Sequence, residues 1–252
     1  MSESAPVPDA VTTPGAPAVT DARARVGAVV EILLCSSVPT QFAVIAVLQA
    51  AGWTAVDSAG HPVMGFVVTQ LIADTALVIT LMVVFIRAHG DSPTALWIGT
   101  RPLTREVLLG IATVPLMFLL VGITLNALRL FAPGLHNVPT NPLEQLATTP
   151  RQAPLFAFLA IVSGGVKEEL QRAFMLQRFE RYLGGPTVGV WLISIAFGLA
   201  HWIQGWDAAI TTGLLGAFWA VLYLRRRNSI GPIVSHAGFN SLEILRVALV
   251  GQ

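Results

Sequence analysis

Three stretches of this sequence carry side chains suited to hydrolysis. "VKEELQRAF" (166–174) sets Glu168 and Glu169 side by side with Arg172 three and four residues on; "SIAFGLAHWIQGW" (194–206) spaces Phe197 and His201 by four; "IVSHAGFNSLEILR" (233–246) spaces His236 and Asn240 by four. On a helix these spacings put each set on one face. A carboxylate can take a proton from water, as a general base must. Imidazole and amide groups can polarise a carbonyl and stabilise its developing negative charge. Equally, Glu168, His201 and His236 match the ligand set of a catalytic zinc, two imidazoles and one carboxylate, with the second glutamate left as base. The contiguous His-Glu-x-x-His pattern of soluble zinc proteases is missing, and the residues alone leave both versions open.

Each motif also has a plain structural reading. A Glu–Arg pair inside a helix bundle fixes packing, a single histidine near a membrane boundary is commonly interfacial, and Asn and His hydrogen-bond between spans. The set changes the weighing. Two adjacent glutamates share one arginine, so one carboxylate is left to be protonated or to find a partner off its own helix.

The elements that must hold these groups are membrane helices. The 252 residues are 54% hydrophobic and 12% charged, and the mean hydropathy is +0.69. Apolar runs repeatedly reach the ~20 residues that cross a bilayer. The expected fold is all-α, a polytopic transmembrane bundle with spans near 26–51, 63–86, 106–128, 153–176, 187–204, 208–224 and 230–250. Seven spans become eight if the first run splits at "SSVPTQ", around Pro39. Residues 23–252 then form one helical domain behind a tail, 1–22, whose "MSESAPVPDAVTTPGAPAVT" composition reads as disordered, cytoplasmic and free of a cleavable signal.

Arginine placement gives an orientation, because basic loops stay in the cytoplasm. Arg23, Arg25, Arg87, Arg101, Arg105, Arg178, Arg181, Arg225, Arg226 and Arg227 fall on one side, against Arg129 and Arg151 on the other. A multi-pass cell-membrane protein with a cytoplasmic N-terminus is expected. The single cysteine, Cys35, excludes intramolecular disulfides. A net charge of +1 implies no polyanionic partner, no nucleic-acid motif or phosphate-binding loop is present, and the apolar spans make membrane lipid an expected partner.

Ionisable groups within spans cost at least ~2.5–3.5 kcal/mol each on insertion scales and normally face a protein interior or a wet cavity. Besides the residues above they are Glu31, Asp74, Lys167, Glu243 and Arg246. Glu243 and Arg246 are spaced for a pair, whereas Glu31 and Asp74 have no partner assignable from sequence. At ~1.5 Å per residue, Glu168 and His236 fall at similar depth, while His201 falls about 7–10 Å further toward the opposite face.

This order of motifs resembles the CPBP family of intramembrane proteases, which includes the CAAX prenyl endopeptidases of Ras-converting type and bacterial Abi proteins linked to bacteriocin processing or self-immunity. The resemblance spans roughly 150–245, including "ITTGLLGAFWAVLYLRRRNSIGPIVSHAGFN". It implies that Glu168 and Glu169 match the acidic pair, Arg172 its arginine, Phe197 and His201 the second motif, and His236 and Asn240 the last. The implied activity is endopeptidase cleavage of a membrane-associated protein or peptide by glutamate-activated water, with a substrate approaching from the cytoplasmic side. One departure stands out: the family has three residues between its glutamates and arginine, and "EELQR" has two. Either a residue is missing, or Lys167 takes the first acidic place and Glu168 the second. Glu168 is a carboxylate in both cases and is the favoured water activator. The rival classes are a proton- or ion-coupled transporter using the same groups as a relay, and a catalytically inactive, immunity-type membrane binding protein.

Overall fold

The computed structural model describes residues 21–139 and 153–250, and within them the chain is helical without a strand. One isolated bridge pairs Val56 with Pro62 in a loop. The expected disordered tail, up to residue 20, and Arg151 lie outside the described residues. The first helix begins where Asp21 caps it: the carboxylate accepts the backbone N–H of Arg23 at 3.2 Å.

The helices are α1 (Ala22–Leu34), α2 (Val38–Ala50), α3 (Met64–Ala88), α4 (Pro93–Trp97), α5 (Leu103–Phe131), α6 (Ala153–Leu159), α7 (Glu168–Tyr182), α8 (Pro186–Leu199), α9 (Trp206–Arg226) and α10 (Ile230–Val250). Helix α6 runs into α7 through a π-helical segment, Ala160–Lys167. The expected break near Pro39 is present: α1 and α2 meet at 44°, across Ser37 in a left-handed conformation (φ 70°). The expected single run over 153–176 is instead α6, the π segment and α7, continuing to Tyr182.

Three helices, α3, α5 and α9, are long and apolar enough to cross a bilayer, and the bent α1–α2 pair makes a fourth if it is one span. The other expected spans fall short for different reasons. Helix α8 has only 14 residues, while the 153–182 run and α10 carry the ionisable residues of the motifs.

The exterior is apolar, as lipid requires and water does not tolerate. Helix α5 exposes Leu108, Ile111, Leu119 and Ile123, and α8 exposes Trp191, Leu192, Ile195 and Leu199. Polar and charged groups lie inside, including Asp74, Glu106, Lys167, Glu169 and Arg172. With no apolar driving force between helices in lipid, close packing uses small residues. A Cβ on Gly198 of α8 would sit 2.5 Å from the carbonyl oxygen of Ala209 on α9, and one on Gly165 would sit 2.7 Å from Ala237 on α10. A Cβ on Gly189 of α8 would likewise meet Phe179 of α7 at 2.8 Å, so small residues pack α8 on α7 and α9, and the π segment on α10.

The end of the bundle that carries most arginines is laced by ion pairs. Arg178 binds Glu31 at 2.5 Å, His89 reaches the same carboxylate at 2.7 Å, Arg181 binds Asp91 at 2.5 Å and Arg227 binds Glu180 at 2.6 Å. Arg226 holds the buried Glu106. Glu31 thus has partners 58 and 147 residues away, which no local spacing foretells.

Candidate active site

The π segment is where the site begins. Its wider turn, common where helices carry function, places Gly164 and Gly165 against α10 and ends at Lys167. Three consecutive residues then face three surroundings. Lys167 is 3% exposed and donates to Asp74 of α3 at 2.9 Å, and Asp74 also accepts the hydroxyl of Thr40 at 2.5 Å. Glu168 faces an internal cavity with its side chain 27% exposed. Glu169 is buried. Lys167 therefore lies outside the cavity, which Glu168 lines. Asp74, unassigned from sequence, is the partner of Lys167.

Of the two glutamates it is Glu169 that takes Arg172, three residues on. Its Oε1 also accepts Nδ1–H of His236 at 2.8 Å. The Arg172 guanidinium lies 4.8 Å from the ring centre of Phe197 and 5.7 Å from that of Trp219, in reach of cation–π attraction. Glu168 makes no such bond; its Oε2 is 3.9 Å from His236 Nε2, too long for a hydrogen bond. The pair is thus divided into one carboxylate held by a cation and an imidazole and one left toward the cavity.

His236 is fixed on both faces of its chemistry. Trp219 stacks on its ring at 3.9 Å and 15°, and the indole N–H is tied to Ser235 Oγ at 3.1 Å. With Nδ1 donating to Glu169, Nε2 is the nitrogen turned toward Glu168. His201 follows the C-terminal end of α8, immediately before a short 3-10 turn, and still lines the shared cavity. Its Nδ1 meets the carbonyl oxygen of Phe197 at 2.8 Å. A carbonyl can only accept, so Nδ1 carries a proton, and in the neutral tautomer this leaves the lone pair on Nε2. Phe197 packs against both imidazoles, at 4.9 Å from His201 and 6.2 Å from His236. Asn240 lines the same cavity and its Nδ2 lies where a Cβ on Gly164 would approach to 2.7 Å.

The cavity has a volume of about 890 Å³. Glu168, Phe197, His201, His236 and Asn240 all line it; Glu169 and Arg172 stand behind them. All six predicted site residues therefore belong to one neighbourhood. The proposed metal set does not assemble: among the described residues no three His, Cys, Asp or Glu side chains converge as ligands would. Sequence reasoning missed Trp219 and Ser163, which also line the cavity. Trp219 had one available signal, a large aromatic in the apolar stretch just before the basic turn and His236.

At the far side of the cavity, Asp207 at the start of α9 is buried and accepts from His136 at 2.8 Å, with Arg129 Nε at 3.9 Å. Asn137 accepts the backbone N–H of Trp206 at 3.0 Å. These bonds pin the segment after α5 to the first turn of α9.

Residues 150–242 match the family model described as type II CAAX prenyl endopeptidase Rce1-like. The matched segment contains all six predicted site residues and leaves α1 to α5 outside it. No curated protein and no solved structure matches the chain.

Proposed function

We propose that this chain, whose residues 150–242 carry the type II CAAX prenyl endopeptidase Rce1-like family, is an intramembrane endopeptidase that cleaves a membrane-associated protein or peptide. The observation that carries the reading is the unequal treatment of the two glutamates. Glu169 is spent on Arg172 and His236, while Glu168 takes no hydrogen bond from the described residues and faces a cavity large enough for a peptide segment.

In this reaction Glu168 takes a proton from a cavity water as the water oxygen attacks the scissile carbonyl carbon. His201 Nε2 accepts the second hydrogen of that water and orients it. The oxygen of the tetrahedral adduct takes its negative charge into hydrogen bonds from the Asn240 amide and, in the doubly protonated form of the ring, from Nε2–H of His236. The C–N bond then breaks, and Glu168 returns its proton to the departing amine. Arg172 is a positioning residue: it holds Glu169, which holds His236. Seven spans, a cytoplasmic N-terminus and residence in the cell membrane belong to the same proposal. The lipid-facing apolar surface of the short α8 supports counting it as a span.

Purified protein in proteoliposomes tests the reading against transport and passive binding. Cleavage of membrane peptides that falls ~10²–10⁴-fold in Glu168→Ala, and falls also in His236→Ala with the fold retained, is the expected outcome. Ion flux without cleavage, or a partner-protection effect that survives Glu168→Ala, would replace it with one of the rival classes.

A further inference from the structure

The cavity is closed at one end of the bundle and continues to the other. The closed end is the arginine-rich one. There α4 lies across the bundle as a plug: Trp97 Nε1–H donates to the Leu170 carbonyl at 3.2 Å, Tyr223 O–H to the Leu96 carbonyl at 3.1 Å, and Ser229 N–H to the Trp97 carbonyl at 2.7 Å. The ion pairs of Arg178, Arg181, Arg226 and Arg227 ring the same end. None of these residues lines the cavity.

The lining runs the opposite way along every helix that contributes to it. On α9 it extends from Trp219 back to Asp207, and on α10 from His236 out to Val247, roughly 16–18 Å at 1.5 Å per residue. On α5 it reaches Arg129, near the C-terminus of that helix, and beyond it His136 and Pro139. On α3 it uses Val67, Gln70 and Leu71 of the first two turns. Antiparallel helices agree on one direction: Glu168 and His236 form the floor, and Arg129, His136 and Asp207 stand at the mouth.

We propose that the site is entered from the end opposite the arginines. Because basic ends of membrane bundles stay in the cytoplasm, that entrance opens to the extracytoplasmic side. The substrate class follows: a membrane-anchored peptide whose scissile bond is presented on the outer side, such as an exported protein or a peptide remnant left after export, and not one arriving from the cytoplasm. This reverses the approach expected from sequence. The word substrate rests on the proposed protease activity and the side of the membrane on the proposed orientation, whereas the end of the bundle to which the cavity runs rests on neither.

Thiol labelling of the full-length chain, in a Cys35→Ala background, reads access without using activity. The Gly134→Cys variant places a thiol at the mouth, Ser163→Cys one in the cavity, and Thr104→Cys one at the start of α5 on the arginine-rich end. With a membrane-impermeant maleimide for the two end positions and a small charged methanethiosulfonate for Ser163→Cys, the first two are expected to react as fully in intact cells as in permeabilised ones. Thr104→Cys is expected to react only after permeabilisation. Reaction of Ser163→Cys only after permeabilisation, or reaction of Thr104→Cys in intact cells, would overturn the proposal. Retained labelling from outside together with absent cleavage would instead count against the protease reading alone.

Discussion

Two buried ionic groups sit one residue apart in this molecule and have opposite fates. Lys167, Asp74 and Thr40 form a closed group in which each carboxylate oxygen of Asp74 has a donor. Glu168, Glu169, Arg172 and His236 form a group left incomplete: Oε1 of Glu169 takes both Arg172 and His236, its Oε2 is buried without a donor among the described residues, and Glu168 faces the cavity. Both violate the rule that lipid excludes charge, so burial of charge does not by itself mark a site. What separates them is saturation beside a cavity. The closed group ties α7 to α3 and does not line the cavity; the open one sets Glu168 and His236 on the cavity wall, which His201 and Asn240 also line. Buried ion pairs hold this bundle together, while Glu168, without a hydrogen bond from the described residues, is turned to the cavity.

Breaking the closed group should strike stability first. Asp74→Ala leaves the Lys167 ammonium buried without its partner, a change that costs about 3–5 kcal/mol. A large drop in thermal stability in detergent is expected, while Glu168→Ala at the neighbouring position should leave the melting curve near that of the unaltered protein. Equal destabilisation by the two would erase the distinction between them.

Gly164→Ala sharpens the open side. Its Cβ would come within 2.7 Å of Asn240 Nδ2, and because that atom ends a flexible side chain, the amide swings away without forcing the helices apart. Cleavage should then fall by up to about 10²-fold, the scale for a displacement of ~1 Å at a reacting centre, with the fold kept. Gly165→Ala instead meets the backbone of Ala237 and should lower stability. Unchanged cleavage in Gly164→Ala would remove Asn240 from the mechanism.

The smallest effect is expected at the arginine-rich end. The hydrogen bond from Arg181 holds the Asp91 carboxyl below its ordinary value, so this pair adds stability above the unfolded-state pKa of ~3.9 and loses it as pH falls through the lower folded value. Both side chains are partly exposed, which limits the contribution to under ~1 kcal/mol. Asp91→Asn should therefore lower the melting temperature slightly at neutral pH, and the difference should vanish in acid. A difference that persists at pH well below 4 would assign the contact's worth to packing.

Local spacing made part of this legible. Glu169 to Arg172 and Glu243 to Arg246 are pairs three residues apart, and both form. The helix break near Pro39 was visible in a run of polar residues and a proline inside an apolar stretch. The partners of Asp74 and Glu31 were not, because they lie on helices 93 and 147 residues away. Nor was the π segment, whose pattern of small and apolar residues reads as ordinary helix. The choice between Lys167 and Glu168 for the first acidic place was undecidable from spacing, since adjacent helical residues differ only in which neighbour they face.

By itself the sequence determined that the chain is helical and built for lipid, and which six side chains could carry hydrolysis, because hydropathy and helical periodicity are properties of neighbours along the chain. Only the tertiary structure decided which glutamate is held and which is left open, that the aromatic ring of Phe197 packs against both imidazoles, and toward which end the cavity runs. Those outcomes depend on contacts between helices far apart in sequence, where a rotation of one residue exchanges a buried ion pair for a free carboxylate.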